Sequence, residues 1–176
     1  MIEHEDSVTL FAAPERVWAV IIDVPRWWRL YYAPMAKWDD YGWSEELKFL
    51  GGQAGGMRWG ALRDGVVMQA LRVEEWSPPL RLVLATEAWN PERASPSSMK
   101  ADLGKGRFRE FVTNINAVRA RFFLDLAPMP PAQTRLTIRE EAEALNPLLD
   151  LLLRIPGKSA LRKCADSFIR GFPELL

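Results

Sequence analysis

Few side chains in this 176-residue chain could perform catalysis or bind a metal, and most of those fail on spacing. There is one histidine, His4, at the N-terminal edge of the first strand-like stretch. Neither a histidine-based metal site nor a Ser-His-Asp triad is therefore expected. The one cysteine, Cys164, lies beside an apolar helical stripe and lacks a base. It reads as a small buried hydrophobe rather than a nucleophile. The glycine-rich "GGQAGGMRWG" at 51–60 matches neither the Walker nor the dinucleotide spacing, so it reads as turns and bulges. No metal and no cofactor is expected. The basic residues of "KADLGKGRFREF" are few enough for a solvated loop.

Carboxylates remain. Glu140 falls on the same strand face as Leu136 and Ile138, because residues two apart on a strand point the same way. A buried carboxylate must be paired, or its pKa rises and it becomes a candidate acid or base. Arg72 and Arg121 are possible partners, although strand parity puts Arg121 on the opposite face to Phe122. Glu140 thus has three readings: solvent contact at a strand end, a structural ion pair, or a weak catalytic candidate inside a cavity. Gln69 sits in phase with Val67, Leu71 and Val73, and Thr86 with Leu82 and Leu84. Lone polar groups on apolar faces are what pockets use to orient a ligand, unless those faces are the solvated ones.

Aromatic side chains are concentrated in "VPRWWRLYYAPMAKWDDYGW", residues 24–43, which holds four of the eight tryptophans and all three tyrosines. Core, membrane foot, partner interface and pocket mouth are the possible uses. The membrane foot is the weakest of these, since basic residues are few and Pro34, Asp39 and Asp40 interrupt the stretch.

The elements that must position these groups follow from periodicity. "HEDSVTLFA" alternates as a first strand, and "APERVWAVIID" has Pro14 in a first helical turn with Val17, Trp18 and Ile21 in one stripe. "RWWRLYY" is a short second helix ending before Pro34. A strand is expected around Met57–Leu62, with Asp64-Gly65 as a tight hairpin turn into "GVVMQALRVEEW". Ser77-Pro78-Pro79 then turns the chain into "LRLVLATEAW". A long loop covers residues 90–106. "NAVRARFFLDLAP" and "TRLTIREEAEA" are the last strands, with Val118, Ala120, Phe122, Leu124 and Leu126 on one face. Asn146-Pro147 starts a C-terminal helix that Pro156-Gly157 must kink or break. Its second half carries the stripe Leu161, Ala165, Phe168, Ile169 and Phe172.

Composition bounds the rest. Twenty-three basic and twenty-three acidic residues cancel, so no global field recruits nucleic acid or an anionic membrane. An apolar fraction of 48% with 26% charged residues fits one globular domain over 1–176 with a substantial core. A single cysteine excludes an intramolecular disulfide framework. "MIEHEDSVTL" lacks the order of a signal peptide, and no run of about eighteen apolar residues is present. The longest suspect, "LNPLLDLLLRIPG", is cut by Asp150, Arg154 and Pro156. A cytoplasmic protein without an integral membrane segment is expected.

The order strand, two helices, about six strands and a long broken helix resembles the START-like or SRPBCC superfamily, which includes polyketide cyclase and dehydrase-like proteins. "VTLFAAPERVWAVIIDVPRWWRLY" is similar to its entry pattern of a strand, Ala-Pro-x-x-Val-Trp and Asp-x-x-x-Trp. "RVEEWSPPLRLVL" is similar to its central hairpin, and "FFLDLAPMPPAQTRLTIREEAEA" to its last two strands. The resemblance spans almost the whole chain and implies an α+β helix-grip fold. In that fold a curved antiparallel sheet of about six to seven strands wraps a long C-terminal helix, with two short helices after the first strand and an apolar cavity between. The loop at 90–106 and the Pro156-Gly157 break depart from the usual pattern.

Members of that superfamily bind lipids, sterols, polyketides, quinones or plant hormones; some are cyclases and others chaperone activators. The resemblance implies binding or carriage of an apolar small molecule: a lipid, polyketide, isoprenoid or aromatic compound. A cyclase or dehydrase-like enzyme using the same cavity is the alternative, and a protein-interaction module the third reading. The expected lining is Trp28, Tyr32, Trp38, Trp59, Gln69, Thr86, Phe122 and Phe168. Monomer and homodimer both stay open.

Overall fold

Period-two alternation dominates the chain, and each alternating stretch is a strand whose apolar residues share one face. The computed structural model describes residues 1–38, 47–63, 66–88, 118–144, 154 and 157–176. Among these, seven strands form one antiparallel sheet: β1 (Ile2–Leu10), β2 (Lys48–Gly51), β3 (Arg58–Arg63), β4 (Val66–Ser77), β5 (Arg81–Ala88), β6 (Val118–Met129) and β7 (Gln133–Ala144). Their order across the sheet is β1-β7-β6-β5-β4-β3-β2. The α-helices among the described residues are α1 (Pro14–Ile21), α2 (Val24–Tyr32) and α3 (Lys158–Gly171). This is the helix-grip α+β architecture: a curved sheet, short helices after the first strand and a C-terminal helix.

Register makes the inner face continuous. On β7 the buried positions are Thr134, Leu136, Ile138, Glu140 and Ala142. Their partners on β6 are Pro128, Leu126, Leu124, Phe122 and Ala120, and on β1 Leu10, Val8, Asp6, His4 and Ile2. β5 continues the face with Leu82 and Leu84 opposite Leu124 and Phe122. A register shift in β4 between Val73 and Glu75 inserts Glu74 as an extra residue. Val73 and Trp76 therefore both join the inner face, opposite Leu84 and Leu82. Without the bulge, Trp76 would point outward, because one residue of slip reverses every side chain. Leu80 belongs to the Pro78–Leu80 turn and is half exposed, rather than continuing the β5 alternation as its spacing suggests.

The helices close over that face. α1 buries Val17, Trp18, Val20 and Ile21, and Trp18 meets Trp76 edge to face at 5.2 Å. α2 buries both of its tryptophans, in different directions. The Trp27 indole donates to the Ile21 carbonyl at 2.7 Å and packs on Phe168 of α3. Trp28 turns to the sheet and meets Phe122. α3 lies against α2 and β1. Ser167 locks it there by donating to the Leu30 carbonyl at 2.6 Å. Gly171 admits the Leu30 side chain, whose methyls would stand 3.0 and 3.1 Å from an added Cβ. α3 begins at Lys158, but Gly157 before it has helical φ/ψ and, like Arg154, a π-helical backbone, so the described residues show a distorted turn rather than a break. Pro156 and the Asn146-Pro147 start lie outside the described residues. So do the Asp64-Gly65 turn and the 90–106 loop.

Candidate functional site

The inner face has one carboxylate at its centre. Glu140 is fully buried on β7, with His4 of β1 opposite it on one side and Phe122 of β6 on the other. Parity sets it beside Leu136 and Ile138, as the alternation requires. Its depth comes from α2 and α3, which bring Tyr31 and Cys164 to it. The reading in which Glu140 reaches solvent at a strand end is therefore overturned.

Among the described residues no cation pairs with it. Arg72 and Arg121 both pair with Glu74 on the outer face, at 2.9 and 3.0 Å. Arg139 covers the Phe123 ring on that face, with Arg81 farther off at 5.5 Å, and Arg81 also meets Glu75 and Asp125. The ion-pair reading of Glu140 fails for the same reason: its two candidate partners point to the other side of the sheet. Burial pushes the Glu140 carboxyl up to about 8, and the nearby Tyr31 hydroxyl offsets part of that rise. The approach of Tyr31 is not a well-formed hydrogen bond, however, since neither Glu140 oxygen has a partner of good geometry. Such a carboxyl is mostly protonated at neutral pH and has hydrogen-bonding capacity unused.

Its neighbours are neutral too. Burial holds the Tyr31 hydroxyl well above its ordinary pKa, and Glu140 and Cys164 add to that. Burial also pushes the Cys164 thiol up to about 12, with Glu140 contributing. Cys164 is thus an inert packed thiol, as its place beside the stripe suggests. Around this polar point stands an aromatic wall. Trp28 and Tyr31 both present edge-to-face contacts to Phe122, at 5.2 and 5.3 Å. Tyr32 stacks on Trp28 at 6.1 Å with 16° between the planes. Aromatic pairs at these separations favour such offset and T-shaped geometries.

The structure brings Trp28, Tyr32, Phe122 and Glu140 into one neighbourhood. Phe168 is buried next to it, between Trp27 and Phe172. Trp59 is buried farther along the sheet, opposite Leu71 and near Phe49. Gln69 is buried opposite Ala61 and Ala88. The Thr86 hydroxyl accepts from the Ala120 amide at 2.9 Å, extending the β5–β6 pairing by a side chain, so it is turned toward backbone. Trp38 ends the 3-10 segment Ala33–Trp38, and its side chain lies outside what is described. Tyr31 is not among the expected lining residues, and the sequence raises His4 only as a metal ligand or triad member. Tyr31 follows Trp28 by three residues on α2, which is one helical face. His4 is in phase with Val8 and Leu10 along β1.

Among the described residues no group of three or more metal-binding side chains comes together, and no helix is long and apolar enough to cross a membrane.

No protein-family profile and no curated protein sequence matches the chain. Solved structures do. A Helicobacter pylori protein is similar with a TM-score of 0.59 at 12% identity, over 99% of this chain and 87% of that one. A Deinococcus radiodurans protein gives 0.53 at 15%, covering 99% and 100%. An Hsp90 activator from Plasmodium falciparum gives 0.52 at 10%, covering 99% and 92%. At such identities the likeness is one of fold.

Proposed function

We propose that the chain is a single helix-grip domain that binds an apolar small molecule between the inner sheet face and helices α2 and α3. The observation that carries this reading is Glu140. A buried carboxyl with both oxygens unbonded lowers stability by about 1–3 kcal/mol relative to a satisfied one. A ligand with one polar group would relieve that cost, and the aromatic wall of Trp28, Tyr31 and Phe122 would take its apolar body. Burying about 200 Å² of such a body contributes about 5 kcal/mol at ~25 cal/mol per Å². One polar contact then sets orientation.

Native mass spectrometry of the purified protein, with extraction of whatever it retains, tests this. A retained apolar compound that is lost when Tyr32 is replaced by alanine is the expected result. A protein that carries no adduct and binds none of a panel of apolar probes would sink the reading.

One observation favours an enzyme of the cyclase or dehydrase kind. Burial places the Glu140 carboxyl at about 8, close to the pH at which a general acid or base works best. In that reading Glu140 moves a proton on a substrate held against Phe122 and Trp28. A retained substrate that turns over with wild type but not with Glu140→Gln would distinguish enzyme from carrier.

A further inference from the structure

We propose that His4 is the second polar arm of this site, and that with Glu140 it selects a ligand bearing a neutral hydroxyl on an apolar ring system. The inference rests on the ligand-binding reading above and specifies the ligand's polar end.

His4 and Glu140 are direct cross-strand partners in the β1–β7 ladder, so their side chains leave the same face of the sheet. Directly opposite residues have Cβ atoms about 4.5–5.5 Å apart, which lets one small group touch both. The His4 ring is only partly buried as a whole, yet its Nε2 is fully enclosed and has no hydrogen-bond partner. Two adjacent enclosed polar groups, each without a partner, fit recognition of a single polar group better than two unrelated defects. A hydroxyl matches both: its oxygen accepts from the protonated Glu140 carboxyl while its proton is donated to His4 Nε2.

The described surroundings disfavour an anionic group. Inner-face positions of β1 are Ile2, His4, Asp6, Val8 and Leu10, and those of β7 and β6 hold no lysine or arginine. The helices contribute Tyr31 and Cys164, both neutral acids. Asp6 is the other carboxylate of this face, and its Oδ1 accepts from the Ser7 amide at 2.8 Å. A carboxylate ligand would meet Glu140 and Asp6 with no lysine or arginine on the described inner-face strand positions of β1, β6 and β7, so it is selected against by unpaired charge. The rings of Trp28, Tyr31 and Phe122 favour a flat, ring-containing body.

The test compares three probes of one shape: naphthalene, 2-naphthol and 2-naphthoate. Titration calorimetry of the whole chain should give 2-naphthol about tenfold tighter than either analogue, the discrimination that one to two such hydrogen bonds supply. His4 is the only histidine of the chain, so its ring nitrogens give a single, unambiguous pair of NMR signals. The Nε2 signal should shift with 2-naphthol and stay still with naphthalene. His4→Leu should reduce the preference to within about twofold without weakening naphthalene, and His4→Gln should restore part of it. A preference that survives His4→Leu, or an Nε2 signal that 2-naphthol leaves unmoved, overturns the proposal. The NMR arm decides the matter on wild type even where a variant fails to fold. Equal binding of naphthalene and 2-naphthol overturns hydroxyl selection by His4 and Glu140 and leaves binding of an apolar body standing. Binding of no probe at all overturns the ligand-binding reading with it.

Discussion

Glu140 and Phe122 face each other across the β7–β6 ladder, a carboxyl against an aromatic ring at the centre of the inner sheet face. Among the described residues neither pairs with a cation, and Trp28 and Tyr31 close the ring side. A titratable group in such surroundings ties stability to pH.

The sign follows from the raised pKa. Burial lifts the Glu140 carboxyl from an ordinary 4.5 to about 8, so between those values the folded chain holds a proton that the unfolded chain has released. Stability is therefore greatest below about pH 4.5 as far as this group is concerned, falls as pH rises to about 8, and is level above it. The total loss is on the order of a few kcal/mol, at about 1.4 kcal/mol per pKa unit. Urea unfolding at pH 5 and pH 8.5 should show this slope in wild type and lose it in Glu140→Gln. Glu140→Leu should raise stability at the higher pH by roughly 1–3 kcal/mol, since it removes an unsatisfied buried group. A wild-type midpoint that does not fall with pH would contradict both expectations.

Cys164 gives a second titration test. Its thiol is pushed up to about 12, so little thiolate exists near pH 8 and its sulfur is enclosed. Reaction with a disulfide reagent should be about a thousandfold slower in the native protein than in denaturant. Native labelling within tenfold of the denatured rate would show that the thiol is neither buried nor suppressed.

Trp28 and Tyr32 separate packing from binding. Trp28 is buried, so Trp28→Ala should cost about 3–5 kcal/mol of stability. Tyr32 is only partly buried and stacks on Trp28. Tyr32→Ala should change stability by about 1 kcal/mol or less while weakening binding of an apolar probe several-fold. Unchanged binding by a well-folded Tyr32→Ala protein would remove Tyr32 from the site.

Two neighbouring glycines at the end of β2 make a controlled pair. Gly51 has φ +114° with open space where a Cβ would be, so Gly51→Ala should cost about 1 kcal/mol for conformation alone. Gly52 has φ +95°, and its added Cβ would lie 2.0 Å from the Gly56 carbonyl oxygen. Gly52→Ala should cost about 2 kcal/mol or more, because backbone must move as well. Equal thermal shifts in the two variants would contradict this geometry.

Much of the fold was readable in the chain because local rules specify it. Period-two alternation identified the long strands, and Ala-Pro at 13–14 with Val17, Trp18 and Ile21 marked the first helix. Parity placed Glu140 with Leu136 and Ile138, and set Arg121 on the face away from Phe122. Those are properties of neighbouring residues, and the sheet preserves them. Parity is lost only where a bulge adds a residue, as Glu74 does, and nothing in "RVEEWS" announces it.

What the tertiary structure alone decided is depth and company. Whether Glu140 meets water depends on α2 and α3, whose contributing residues, Tyr31 and Cys164, lie far from it along the chain. The pairing of Arg72 and Arg121 with Glu74 depends on which strands become neighbours. His4 stands opposite Glu140 only because β1 pairs with β7, joining the two ends of the sheet-forming chain. Sequence sets the face on which a side chain lies, since that is a matter of local geometry. What covers the face, and which distant groups share it, is settled by long-range packing.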